Sequence, residues 1–136
     1  MALGIDITPA AVSLARSRGA LVLERSVFDR VPGKGRWGSA LLLDGNVGIG
    51  GDATHLLRRL VTLLRPGGRV LLELQSPRSP LGPTTVRLED RGRPGPSFGW
   101  APVGVDQLEA LTSAVDLSVA TTWRSNGRWF AQLDRA

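Results

Sequence analysis

The order of hydrophobic and turn segments predicts an α/β fold, a mostly parallel sheet closed by a C-terminal antiparallel hairpin. Three observations carry it. Over residues 3–16 the chain runs as a strand, ends that strand in an acid and passes at once into a helix. An uninterrupted apolar run ending in an acid, residues 39–44, and a second buried-strand segment, 69–74, flank a segment of helical periodicity, and a run without alternation suits a parallel strand covered on both faces. Finally, Ser125, Asn126 and Gly127 separate two strand-like segments, and Asn-Gly is the strongest short hairpin signal.

The elements follow in order. Leu3, Ile5 and Ile7 surround Asp6, Thr8 suits an N-cap, Pro9 suits the first helical position, and Val12, Leu14 and Ala15 begin an apolar face. Residues 21–28 read as a second strand, ending at Asp29 and a turn around Pro32, Gly33 and Gly35. The run 39–44 ends in Asp44 and leads through glycine-rich residues 45–51 to a helix opened by Asp52. Leu56, Leu57, Leu60, Val61 and Leu64 recur there at helical spacing, and Pro66, Gly67 and Gly68 stop the helix before the run 69–74. Strand, helix and strand joined by short turns imply a right-handed parallel crossover. Residues 75–102 break the pattern with Pro77, Pro80, Pro83, Pro94 and Pro96; only 84–89 reads as a short strand, in an excursion within one domain spanning 1–136. A helix over 105–115 precedes hairpin strands at 117–123 and 128–133, with Trp123 and Trp129 expected to face each other.

A chain of 136 residues with 42% apolar and 21% charged residues has the size and composition of one globular domain. It has no cysteine, which excludes disulfides, thiolate metal sites and cysteine nucleophiles. No histidine or acid cluster has metal-ligand spacing and no Gly-x-Ser-x-Gly elbow occurs, so neither a metal nor hydrolase chemistry is expected. No apolar run approaches the roughly 20 residues of a membrane span and no signal-like start is present; a cytoplasmic protein without a membrane partner is expected. The net charge is +5, and of 17 basic residues only Lys34 is a lysine. Acids interleave with the arginines, so charge alone does not favour nucleic acid as a partner. Arginines 87, 91, 93, 124 and 128 with Trp100, Trp123 and Trp129 could stack bases and hold phosphates, but a tryptophan pair with arginines on its wet side is the simpler account.

The opening Gly4-Ile5-Asp6-Ile7-Thr8-Pro9, the turn Arg65-Pro66-Gly67-Gly68-Arg69 and the order of elements together resemble class I S-adenosylmethionine-dependent methyltransferases, from their second strand to their closing hairpin. The resemblance implies a Rossmann-like methyltransferase sheet, S-adenosylmethionine as cofactor and a small-molecule methyl acceptor. It places Asp6 and Ile7 at the cofactor ribose, where a carboxylate accepts from both hydroxyls. Ser26, Val27 and Phe28 fall at the adenine, with Ser26 where the family commonly carries an aspartate. Asp44 and Gly45 fall where the methionine moiety and the acceptor meet, with Asn46 beside them offering both a donor and an acceptor group. His55, one turn into the helix opened by Asp52, is a candidate general base if it faces the pocket, although a lone helical histidine is more often a solvated surface residue. Methyl transfer is an in-line displacement, so the protein mainly aligns donor and acceptor; no catalytic residue is singled out.

The family's sheet order is 3-2-1-4-5-7-6, and its central first strand, with the glycine-rich loop that follows, has no counterpart here. The expectation is therefore an N-terminally truncated methyltransferase with impaired activity. Strands starting near Leu3 and Ser39 would expose unpaired backbone, inviting a homodimer or a partner chain that completes the sheet. The alternative is a catalytically inactive methyltransferase-fold interaction module; Ser26 and the missing loop favour it, and Asp6 and Asp44 oppose it. The glycines at 45, 48, 50 and 51 fit neither Gly-x-Gly-x-x-Gly nor the Walker pattern. Asp52 would repel an anion there, so a flexible rim of an acceptor pocket is expected.

Overall fold

Strand β1 (Gly4–Asp6) pairs in parallel with β2 (Val22–Glu24) across helix α1 (Pro9–Ser17), Gly4 lying opposite Val22 and Asp6 opposite Glu24. This is the predicted strand–helix–strand opening, seen in a computed structural model that describes residues 1–79 and 83–136. It forms the first of two units, Met1–Pro32; the second is Gly33–Ala136. A Cβ at Gly4 would come within 2.7 Å of Val22 Cγ2, so glycine lets the two strands close up. Thr8 stands at the N-cap, but its hydroxyl makes no capping bond. Its backbone N–H instead donates to Asp6 Oδ1 at 2.7 Å, an Asx turn that sends the chain from strand to helix. Strand β2 is shorter than the predicted 21–28. After Glu24, side chains capture the backbone: Asp29 Oδ2 accepts from the Ser26 N–H at 3.2 Å and Ser26 Oγ from the Phe28 N–H at 3.2 Å. Local bonds of this kind compete with a ladder.

In the second unit β3 (Trp37–Leu42) runs parallel to β4 (Leu64–Leu74), with helix α2 (Ala53–Leu63) as the crossover. Strands β7 (Ser118–Ser125) and β8 (Arg128–Asp134) complete a sheet in the order β3-β4-β8-β7. Helix α2 packs on β4. Leu56, Leu57, Leu60 and Leu63 of the helix are buried, as are Val70, Leu72 and Leu74 of β4 and Ala131 and Leu133 of β8. The expectation that residues 39–44 are covered on both faces fails. Strand β3 pairs with β4 alone, at the end of its sheet, and Leu41 is 62% exposed. The described strands form three separate sheets rather than one.

Asp52 caps α2 as predicted, its Oδ1 accepting from the His55 N–H at 2.9 Å. Asp52→Ala should cost about 1 kcal/mol in urea denaturation and Asp52→Asn far less; equal losses would show that the cap is not what Asp52 contributes. Helix α2 stops at Leu63, and the Pro-Gly-Gly turn lies inside β4 at a register shift between Trp37 and Ser39. The two glycines there answer different needs. Gly67 has φ +67°, whereas a Cβ on Gly68 would meet the Arg65 carbonyl oxygen at 2.8 Å and Leu64 Cβ at 3.1 Å. Arg135 closes the end of α2, its Nη1 donating to the carbonyl oxygens of Val61 and Leu64.

The excursion contains a hairpin of β5 (Thr84–Asp90) and β6 (Arg93–Trp100), with Thr84 opposite Trp100; Pro80 and residues 81–82 lie outside the described residues. Strand β6 was not expected because Pro94 and Pro96 interrupt it, yet a two-stranded ribbon has open edges where a missing N–H costs no ladder bond. The predicted helix 105–115 is a 3-10 turn, Val105–Gln107, and a short α3 (Leu108–Thr112). Thr112 Oγ1 donates back to the Leu108 carbonyl at 3.1 Å and Ser113 Oγ to that of Ala110 at 2.7 Å, which weakens a helix at its end. In the closing hairpin Asn126 and Gly127 both have positive φ, 48° and 77°, as a two-residue hairpin turn requires. That turn sets Ser125 opposite Arg128, and so Trp123 opposite Phe130 and Arg124 opposite Trp129. The expected Trp123–Trp129 pair is thus one residue out of register. Trp123 stacks on Phe130 with centroids 5.5 Å apart, and the Arg124 guanidinium lies 5.9 Å from the Trp129 ring. Trp123 is 40% exposed, a surface residue rather than core.

Candidate functional site

In the first unit the residues singled out from the sequence cluster at the carboxyl ends of β1 and β2. Asp6 ends β1 with an exposed carboxylate; one oxygen serves the Thr8 amide, and a carboxylate has about four lone-pair sites in all. Ile7 beside it is a largely exposed apolar side chain. Ser26, Val27 and Phe28 lie half-buried in the turn after β2. The Ser26 hydroxyl already accepts from the Phe28 amide, which leaves its second lone pair and its hydrogen for an outside partner.

In the second unit Asp44 and Gly45 follow β3 and both adopt left-handed backbone, φ 54° and 73°. Asn46 opens the 3-10 turn Asn46–Gly48 with its side chain exposed, and His55 is an exposed residue in the first turn of α2. The sequence reading missed what holds Asp44. Its backbone N–H donates to Glu73 Oε2 at 2.7 Å, and its Oδ1 accepts from Arg128 Nη2 at 3.0 Å. Arg128 also grips Glu73 with two bonds, Nε to Oε1 at 2.7 Å and Nη2 to Oε2 at 2.6 Å. The Arg128 hydrogen bond, aided by the Asp44 amide and opposed by desolvation, holds the Glu73 carboxyl below its ordinary pKa. Its folded-state pKa being the lower one, Glu73 contributes stability above the ordinary carboxylate range and loses it as the pH falls through that lowered value. A signal was available: Glu73 is the one acid in an otherwise apolar run, and Arg128 directly follows the Asn-Gly turn.

The glycine-rich loop is not a free rim. Trp100, at the end of β6, lies against it: a Cβ on Gly48 would come within 2.8 Å of the indole Nε1, and one on Gly45 within 3.8 Å of Cζ2. The Ala101 N–H donates to the Gly48 carbonyl at 3.0 Å, and Ile49 bridges to Trp100. Beside this contact is a cleft of about 310 Å³, lined by Gly51, Asp52, Thr54, Pro102, Gln107 and Leu111 among others. Its volume lies at the lower end of the range of small-molecule pockets, about 300–1,000 Å³.

No family profile and no curated protein sequence matches the chain. Solved structures do match. A SAM-dependent methyltransferase from Bacteroides fragilis, in complex with S-adenosyl-L-homocysteine, is similar at TM-score 0.79 and 20% identity, over 97% of this chain and 62% of that one. The 1,6-didemethyltoxoflavin-N1-methyltransferase of Burkholderia thailandensis is similar at TM-score 0.67 and 16% identity, over 98% of this chain and 60% of that one. An amino pentose methyltransferase from Micromonospora echinaspora, with bound SAM, gives TM-score 0.69 and 16% identity, over 98% and 73%. The chain thus spans about three fifths of the length of the first two. At these identities the likeness shows the fold, which is that of the class I methyltransferases, as the sequence predicts.

Proposed function

We propose that this chain, built on the methyltransferase fold, binds S-adenosylmethionine and serves methyl transfer to a small-molecule acceptor. The observation that carries the reading is the fold match at TM-score 0.79, over 97% of the chain, to a methyltransferase holding S-adenosyl-L-homocysteine. Each unit, taken by itself, carries groups suited to one part of such a cofactor. In the first unit Asp6 would accept from the ribose hydroxyls while Ile7, Ser26, Val27 and Phe28 line the adenine; charge-assisted bonds to a carboxylate are the strong kind. In the second unit Asp44 and Gly45 would hold the methionine end, and Asn46 and His55 would face the acceptor. When bound, the cofactor supplies a sulfonium methyl group, transferred in line to an acceptor lone pair as the carbon–sulfur bond breaks toward sulfur.

The same reading gives residues 1–136 on their own an impaired activity, because the family's first strand and glycine-rich loop have no counterpart among them. The open edges of β1 and β3 would each accept a strand from a second copy or a partner chain. Among the described residues no helix is long and apolar enough to cross a membrane. Calorimetric titration with S-adenosylmethionine and S-adenosylhomocysteine tests the proposal. Binding is expected, and Asp6→Ala should weaken it by about thirtyfold, the loss of one or two bonds to a charged group. A folded wild-type protein that binds neither ligand would leave the catalytically inactive interaction module.

A further inference from the structure

The three groups that meet at the end of β3 belong to three strands' ends: Asp44 follows β3, Glu73 lies near the end of β4, and Arg128 begins β8. Side-chain exposures are 83% for Asp44, 52% for Arg128 and 14% for Glu73. Ion pairs as exposed as Arg128–Asp44 add little stability. What this network does fix is geometry. Asp44 is a non-glycine residue at φ 54°, directly followed by Gly45 at φ 73°; the Asn46 N–H closes the turn on the Leu43 carbonyl at 3.1 Å, and Asp44, uncommon in this region as a non-glycine residue, has further support from outside the turn. Glu73 gives it at the backbone, accepting the Asp44 N–H at 2.7 Å. Arg128 gives it at the side chain, through Asp44 Oδ1 at 3.0 Å. The same arginine fastens Glu73 in place with its two bonds of 2.7 and 2.6 Å, the paired geometry that a planar guanidinium offers and an ammonium does not. Arg128 is itself held, opposite Ser125 across the Asn-Gly turn and with its guanidinium 5.6 Å from the Phe130 ring.

We propose that Glu73 and Arg128 are positioning residues that set the Asp44–Gly45 turn for the methionine end of the bound cofactor. The inference rests on the methyltransferase reading and adds to it two residues that never touch the cofactor. One Asp44 oxygen is turned toward Arg128, which fixes the carboxylate plane and directs the second oxygen to the cofactor's ammonium group. The left-handed turn fixes the backbone of Gly45 in the same stroke. Losing either Glu73 or Arg128 releases both.

The test compares S-adenosylhomocysteine with 5′-methylthioadenosine, which lacks the amino-acid end. In calorimetry Arg128→Gln and Glu73→Gln should weaken S-adenosylhomocysteine about tenfold and methylthioadenosine less than about twofold, with Arg128→Lys between, since a lysine cannot reproduce the paired bonds. Equal weakening of both ligands, or none, overturns the positioning role. A second measurement needs no ligand. Glu73 is faced, among the described residues, by Arg128 and by the Asp44 amide and carboxylate. The Asp44 amide resonance should therefore titrate with Glu73 below the ordinary carboxylate range, and Arg128→Gln should move that titration upward; an amide indifferent to Arg128 overturns the clamp itself. If that titration behaves as expected but the wild type binds neither ligand, the cofactor reading is what has failed, and the positioning role falls with it.

Discussion

Leu72→Ala is expected to lower stability by about 3–4 kcal/mol, the range for emptying a well-packed leucine site. Leu72 is buried on β4, opposite Leu42 of β3 on one side and Ala131 of β8 on the other. Helix α2 lies over this strand, with Leu56 and Leu57 fully buried. Ala131 is already the smallest apolar residue and the neighbours belong to regular strands, so little can move in to fill the space. Leu41→Ala, one residue from Leu42 on the uncovered face of β3, should cost less than about 0.5 kcal/mol. Urea denaturation followed by circular dichroism reads both; comparable losses would mean that the sheet buries its two faces alike.

Gly48→Val should cost about 2–3 kcal/mol through overpacking. A bare Cβ at this position would already stand 2.8 and 2.9 Å from Trp100 Nε1 and Cε2 and 3.1 Å from the Ala101 carbonyl oxygen. Two of these neighbours belong to a ring that can shift, and the third is backbone. The clash should therefore be partly relieved in the double variant Gly48→Val, Trp100→Leu, giving a coupling of at least about 1 kcal/mol in a double-mutant cycle. Strict additivity would sink the claim that Trp100 is what requires a glycine here.

The opening strand, α1, α2 with its Asp52 cap, the parallel β3–β4 pair and the closing turn were legible because each is written locally, in periodicity, caps and turn residues. What was not legible depends on distant partners. Strand β6 carries Pro94 and Pro96 and has no strand signature, and it exists because β5 pairs with it. The Trp123 partner was missed by one residue because hairpin register follows from where the turn closes, at Ser125 and Arg128, and not from which aromatic residues look alike. For the site, Asp44 was recognised as an acid at a strand end, but its hydrogen-bond partners stand 29 and 84 positions away in sequence. No spacing rule reaches that far. The glycine-rich loop looked mobile for a related reason, since the ring that rests on Gly48 comes from residue 100.

The sheet order β3-β4-β8-β7 also bears on how fast this protein folds. Strands β3 and β4 meet through one helical crossover, but β4 gains its second neighbour only when Leu74 finds Trp129 and Arg69 finds Asp134. Everything between, the β5–β6 hairpin and α3 included, is a loop that must close before this pairing returns any free energy. Local pieces such as the β7–β8 hairpin form in about 1–10 μs, so docking that hairpin along β4 is the slow step, the behaviour of folds dominated by non-local contacts. Until it docks, β4 presents an unpaired apolar edge, and the protein's exposure to aggregation is concentrated in that interval.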